Sequence, residues 1–190
     1  RIEGPIMPLA ITTHGKFRVE NLDDPGIPEK GVEILEGDLI VMTPAQKHHN
    51  RIAHRLECLF EDHCSRHPDL DYGGDNEGFW VDKDPDTLLS PDACLFKTRA
   101  EPEGAWMEFS PEIPVEILSP GNSAAEIAFK VRKYLGCDSE QVWIVDPESE
   151  SIEFYFKDGR KTIATGDEVV PCEGIAEGLS ISLKELLKKG

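Results

Sequence analysis

Two acids stand at the edges of short apolar runs. Asp92 opens onto Ala93-Cys94-Leu95-Phe96, and Glu116 interrupts Pro114-Val115-Ile117-Leu118. A carboxylate in an otherwise apolar strand needs a cation, a neighbour or a proton to be tolerated. Adjacent strands of one sheet can bring the two together although 24 positions separate them. Paired carboxylate oxygens suit Mg²⁺ or Mn²⁺, hard cations that keep several waters and work beside substrate phosphates. Such an ion activates water and stabilises charge on a pentacovalent phosphate. Asp92 and Glu116 are therefore candidate metal ligands and catalytic residues. The plainer alternative is a pair of solvated acids at strand ends in a chain already rich in them.

Three further residues bear on that choice. Lys130 falls in a helical stretch whose buried face is centred between Ile127 and Val131, which puts it on the flank, roughly 80° from that centre. A flank lysine can snorkel its ammonium towards the preceding strand and stabilise developing phosphate charge, or simply pair with Glu126 on the surface. Gln141 opens the next strand, where its amide could bind water or substrate. His49 lies over the buried face of the first long helix, where a satisfied core histidine competes with a functional one.

The elements that must position these groups follow from pattern. Residues 1–30 are rich in Pro, Gly and charge and read as an irregular arm; residues 31–190 read as one domain. Val32–Met42 predicts a β-hairpin turning at Gly37. Thr43 as N-cap, Pro44 at N1 and Gln46 at N3 predict a helix start, with Ile52, Ala53, Leu56, Leu59 and Phe60 on one face and an end near His63 or Cys64. GFWV (78–81) and ACLF (93–96) read as strands and DKDPDT (82–87) as a turn or loop, while Pro114 is placed at the first position of its strand. Ser123 with Glu126 forms a capping box, and Gly136 is placed to end that helix. QVWIVD (141–146) reads as an interior strand, residues 151–165 as a hairpin, and LKELLKK as a closing helical turn. The order is mixed α and β around a strand–helix–strand centre.

Composition narrows the chemistry. A formal charge of −17, from 37 acids against 20 Lys and Arg, opposes diffuse binding to nucleic acid, which depends on many cationic contacts to phosphate. Cysteines 58, 64, 94, 137 and 172 form no CxxC pair, which argues against a zinc-thiolate site or a disulfide scaffold and for a reduced, cytoplasmic setting. His48, His63, Cys64 and His67 match no compact metal-binding spacing. There is no Walker loop, GxGxxG fingerprint or GxSxG elbow, and no histidine follows Ser119 to complete a hydrolase triad. No run is long enough to be a transmembrane helix, so no membrane partner is expected.

The runs GDLIVMTPAQKHHNRIAHRL, SPDACLF, PVEILSPGNSAAEIAFKVRKYL and QVWIVDP, in that order, resemble the Uma2 family, a bacterial group of the PD-(D/E)xK nuclease superfamily, over roughly residues 30–185. The resemblance implies a restriction-endonuclease-like core, with a mixed central sheet flanked by helices, and Mg²⁺-dependent (or Mn²⁺-dependent) hydrolysis of DNA phosphodiesters. It also implies a homodimer. Asp92 matches the family's metal-binding aspartate and Glu116 the second acid. The superfamily's lysine two positions later is Leu118 here, and Lys130 matches a lysine displaced into the following helix. His49 matches a polar position of the first helix, and Gln141 one usually occupied by an acid. Leu118, Gln141 and the net charge leave a second expectation open: a catalytically weak or inactive nuclease fold acting as an oligomeric interaction module. A small-molecule metallohydrolase using the same acids is a third.

Overall fold

Alternation with period two decides which side chains meet in this fold. The computed structural model describes residues 17–42, 46–74, 77–100 and 102–189. The elements are β1 (Val32–Leu35), β2 (Asp38–Val41), α1 (Lys47–Cys64), β3 (Leu70–Gly74), β4 (Phe79–Lys83), β5 (Asp86–Leu89), β6 (Ala93–Lys97) and β7 (Ile113–Ile117). They continue with α2 (Ala124–Gly136), β8 (Gln141–Asp146), β9 (Ser151–Phe156), β10 (Lys161–Thr165), β11 (Val169–Pro171), β12 (Ser180–Ser182) and α3 (Leu183–Leu186). Six strands form the main sheet in the order β10-β9-β8-β7-β6-β3, and four form a second sheet, β2-β1-β5-β4. β7 and β8 run parallel, joined through α2, with Val115 opposite Trp143 and Glu116 opposite Ile144. The other pairings are antiparallel.

On one face of the main sheet, Leu95, Ile113, Val115, Ile117, Trp143, Val145 and Phe154 meet Ile52, Leu56 and Phe60 of α1. Trp143 anchors this layer, its ring 5.7 Å from Phe60 and 5.3 Å from Phe154. Full burial of each such side chain contributes about 1.5–3 kcal/mol. The alternate residues point the other way. Val142 and Ile144 of β8 pack with Val131 and Tyr134 of α2 and Leu89 of β5, while Cys94 and Phe96 of β6 pack with Phe79 of β4. Glu116 belongs to this second set, so its carboxylate is delivered into a layer closed by α2 and the small sheet.

The predicted hairpin turns through Glu36 (φ 50°) and Gly37 (φ 84°), the two positive angles that a tight two-residue hairpin requires. The segment 82–87 is more than a turn: Asp86–Leu89 is a fully buried strand that pairs with β4 and β1. Its dense charges hid it. Pro114 is the second residue of β7 rather than the first. Thr43 and Pro44, expected to open the first helix, lie outside the described residues. Gln46 is extended (φ −73°, ψ 154°) at the N-cap of α1 rather than inside its first turn.

Ser123 caps α2 by accepting from the Glu126 N–H, as its spacing predicts. The helix continues to Gly136, and the left-handed residue after it is Asp138 (φ 78°). Residues 17–24 pack against the small sheet: Phe17 N–H donates to Gly37 O at 2.8 Å and Val19 N–H to Asp86 Oδ2 at 2.8 Å. Among the described residues no helix is long and apolar enough to cross a membrane.

Candidate active site

Lys130 is not a flank residue. It is 1% exposed, and the buried face of α2 is centred on Lys130, Val131 and Tyr134 rather than between Ile127 and Val131. The reason is electrostatic. Its ammonium lies 2.9 Å from Glu116 Oε2 and 2.9 Å from both carboxylate oxygens of Glu33. One turn along α2, the Tyr134 hydroxyl donates to Glu116 Oε1 at 3.0 Å, so the helix occupies both oxygens of the strand carboxylate. Glu33, on β1 of the small sheet, also accepts the Ser90 N–H at 2.9 Å. The network therefore ties three elements together: β7, α2 and the N-terminal hairpin.

Asp92 reaches the same end of the sheet from β6. Its N–H donates to Val115 O at 3.0 Å, and its Oδ2 accepts the Ile117 N–H at 2.6 Å. This clamp across the end of β7 fixes the carboxylate beside the residue that follows Glu116. His49 Nε2, in the first turn of α1, lies 3.3 Å from Asp92 Oδ1. Four of the five residues singled out by type and spacing are thus brought together: Asp92, Glu116, Lys130 and His49.

Gln141 is the exception. It projects on the α1 face of β8 beside Trp143, opposite to the face that carries Glu116. Both ends of its amide are committed, donating to Glu173 O at 2.8 Å and accepting from Trp143 Nε1 at 3.0 Å. At about 3.3 Å per residue it stands some 10 Å along the strand from Ile144, the partner of Glu116.

Two contributors were not legible as functional. Tyr134 buries its ring on the inner face of α2, and its hydroxyl is spent on Glu116. Glu33 looks like the exposed residue of an alternating hairpin. One sequence signal did mark it: the tetrapeptide Val-Glu-Ile-Leu occurs at 32–35 and again at 115–118, and both glutamates bind Lys130.

The charges set the electrostatics. Burial, aided by the charges of Glu33 and Asp92 and opposed by Lys130, pushes Glu116 up to about 8. Burial also opposes the charge on Lys130, but Glu116 and Glu33 outweigh it and hold the ammonium above its ordinary range. Lys130 is therefore a fixed cation and not a proton acceptor. Glu33 and Glu116 meet the ammonium, and Asp92 is close enough to Glu116 for its charge to help keep that carboxyl protonated, a bias that a hard dication would reverse.

Among the described residues no group of three or more His, Cys, Asp or Glu is arranged to hold a metal ion. The donor chemistry nonetheless fits Mg²⁺ or Mn²⁺, which are commonly held by one or two carboxylates and complete their shell with water and substrate oxygens. Asp92, with its side chain 18% exposed, provides the open side, and Glu116 would be the second ligand. The His48, His63, Cys64 and His67 group has other uses: His63 Nε2 lies 2.9 Å from Ile175 O, and its ring lies 4.4 Å from that of His67.

Replacing Tyr134 by Phe leaves Glu116 Oε1 without its donor inside the protein. Urea denaturation near neutral pH, where Glu116 is mostly protonated, is expected to show a loss of about 0.5–1.5 kcal/mol, the scale for a typical hydrogen bond. A change below experimental error would show that this bond contributes nothing.

Comparison with known proteins gives a consistent picture. A family model named Uma2 and described as "Putative restriction endonuclease" matches residues 23–184. No curated protein matches the chain. Among solved structures, the fold is similar to a crystal structure from Anabaena variabilis, titled as a "putative nuclease belonging to DUF820". The TM-score is 0.73 at 20% identity, covering 84% of this chain and 91% of that one.

Proposed function

The chain belongs to the Uma2 family, and from that premise we propose that it is a divalent-metal-dependent endonuclease hydrolysing phosphodiester bonds in DNA. The observation that carries the reading is the placement of the Lys130 ammonium 2.9 Å from Glu116, in the layer beside Asp92. Leu118 occupies the position where the superfamily has its lysine, and Lys130 brings the missing cation to the same acid from α2. This favours the catalytic reading over that of an inactive interaction module, because the departure in sequence is compensated in space.

Asp92 and Glu116 would hold Mg²⁺ or Mn²⁺. When bound, such an ion supplies Lewis acidity and lowers the pKa of bound water. The chain's own residues orient and charge the site. The Ile117 N–H fixes the Asp92 carboxylate, while Tyr134 and Lys130 hold the two oxygens of Glu116 in one rotamer. Preorganised groups of this kind stabilise developing charge without having to reorganise during reaction. Lys130 stays cationic and can stabilise negative charge on a phosphate oxygen. His49, beside Asp92, is positioned to donate to or accept from a water or substrate oxygen there.

The test is cleavage of supercoiled plasmid and of short duplexes by highly purified protein with Mg²⁺, with Mn²⁺ and with chelator. Cleavage that requires the divalent ion is expected. No cleavage of any duplex with either ion, or cleavage that persists in chelator, would overturn the reading.

A further inference from the structure

The outer face of α2 lacks the charges that a solvent-facing helix carries in so acidic a chain. At about 100° per residue, Ala124, Ala125, Ala128, Phe129, Arg132 and Leu135 fall within one arc of about 140°, on the side away from Lys130 and Tyr134. The three alanines and Arg132 are exposed, and Phe129 and Leu135 are half-buried. The other charges of the helix lie outside this arc and are committed: Glu126 to Asn122, Lys130 to Glu33 and Glu116, Lys133 to Asp82. A surface helix ordinarily places its charges opposite the core. Here the one charge in that position is Arg132, and among the described residues it has no ion-pair partner. The face continues onto the main sheet. α2 packs on Val142 and Ile144 of β8, but on the same side of β10 Ile163, opposite Glu153, stands 55% exposed. Between α2 and β9 runs a cleft of about 680 Å³, with Ala124, Ala128 and Arg132 on its helical wall and Asp146, Glu153 and Tyr155 on the strand side.

We propose that a second copy of this chain docks on this face, the two α2 helices lying antiparallel across a two-fold axis at Ala128. The inference is independent of the nuclease reading. Charge complementarity commits the face to a copy of itself. In a two-fold interface every contact is reciprocal, and Ala124 and Arg132 stand equally far, about 6 Å, on either side of Ala128. Arg132 of one copy therefore comes beside Ala124 of the other. Because α2 runs back between the parallel strands β7 and β8, that is the end of the cleft that holds Asp146. The unpartnered cation thus meets the acidic end of the facing cleft, twice over. Shape agrees with charge. Alanines at the crossing let two helix axes approach to the short end of about 8–10 Å. A helix so placed lies over β9 and β10, with its Phe129 against the exposed Ile163. Two copies of net charge −17 repel one another, so they can associate only through a surface poor in free acids. On this one Glu153 is paired with Lys161 at 3.0 Å, and Asp146 accepts from the Ser149 hydroxyl at 2.6 Å. A stable interface buries about 800 Å² per partner. α2 alone, about 20 Å long, falls short of that, and the cleft with the β9–β10 face completes it.

The experiment is sedimentation equilibrium of the purified chain from about 0.1 to 100 µM, the upper part of the range over which interfaces of this size dissociate. A reversible dimer is expected. Ala128→Glu sets two like charges face to face at the axis, and Ala128→Lys does the same with the opposite sign. Each is expected to raise the dimer Kd by at least about 100-fold. Ala128 is exposed and both replacements are good helix formers, so the fold is kept, which circular dichroism checks. Mixed one to one, the two variants should recover the dimer, because opposite charges then meet at the axis. Arg132→Glu is expected to weaken association by at least about tenfold. The control Met42→Glu, at an exposed apolar residue just after β2, should leave the Kd within about twofold of wild type. A chain that is monomeric over the whole range would overturn the proposal and leave the face to an unlike partner. A dimer that survives both Ala128 variants, or one weakened as much by Met42→Glu, would place the interface elsewhere. An Ala128→Glu and Ala128→Lys mixture that stays monomeric would overturn the two-fold at Ala128.

Discussion

Replacing Lys130 by methionine is expected to lower the unfolding free energy by about 3–5 kcal/mol, the scale for removing one partner from a buried ion pair. Methionine fills much of the same volume, so the loss is electrostatic rather than a cavity. Lys130 and Glu33 are each 1% exposed and the Glu116 side chain 7%. Without the ammonium, two carboxylates face each other where water does not reach. Against a total stability of about 5–15 kcal/mol this is a large fraction, and cleavage should fall with it.

The pH dependence identifies the cause. Glu116 already sits at about 8 with Lys130 opposing the shift, and removing that opposition raises it further. A carboxyl whose folded pKa is raised stabilises fully below its unfolded value, near 4.5, and loses that contribution as pH climbs through the folded value. Wild type and variant should therefore lose this contribution in parallel between about pH 5 and pH 8, and the variant should fall further behind, by up to about 1.4 kcal/mol per pH unit, only above pH 8, where wild-type Glu116 has ionised. Urea midpoints at about pH 7 and about pH 9.5 measure this. Adding Glu33→Gln should recover part of the loss, and the double-mutant cycle then gives the Lys130–Glu33 coupling. A midpoint shift that is the same at about pH 7 and about pH 9.5, and insensitive to Glu33→Gln, would show that Lys130 acts by packing alone.

This prediction depends on a residue that pattern reading placed wrongly, and the reason is instructive. Helical periodicity finds the face that meets apolar surface, so it assigned the centre of α2 to Ile127 and Val131. The real partner surface contains Glu116 and Glu33, and a cation and a tyrosine are what such a surface attracts. What did read out correctly was local: the turn at Gly37, the Ser123 cap, the interior strand at 141–146 and the hairpin at 151–165. Each depends on residues close in sequence. Glu33 reaches Lys130 across 97 positions, and β5 is a strand because of what covers it rather than because of its own charges. Long-range pairing of two sheets carries no local period, and the repeated Val-Glu-Ile-Leu was the one hint of it. The failure at Gln141 is of the same kind. Its position at a strand edge suggested a site, but which end and which face it occupies depends on the parallel register of β7 and β8.

Asp92 and Gln141 therefore make a sharp opposed pair. Asp92→Asn keeps an oxygen to accept the Ile117 N–H while removing the charge, and the side chain is partly exposed, so stability should change by no more than about 1 kcal/mol. Cleavage should fall by well over 100-fold. Groups that merely support a metal ligand already cost about 10–100-fold when lost, and a ligand carboxylate should cost more. Calorimetric titration should show the same variant losing Mn²⁺ affinity. Gln141→Ala is expected to behave in the opposite way. It leaves the Trp143 Nε1–H and the Glu173 carbonyl without their partner inside the protein, at a cost of about 1–3 kcal/mol. The rate per folded molecule should stay near wild type. If Asp92→Asn cut DNA as fast as wild type, the measured cleavage would belong to a contaminant and the carboxylate would have no catalytic role. If Gln141→Ala stayed folded yet lost cleavage, the active end of the sheet would be the opposite one, and the cluster at Lys130 would be a structural ion pair.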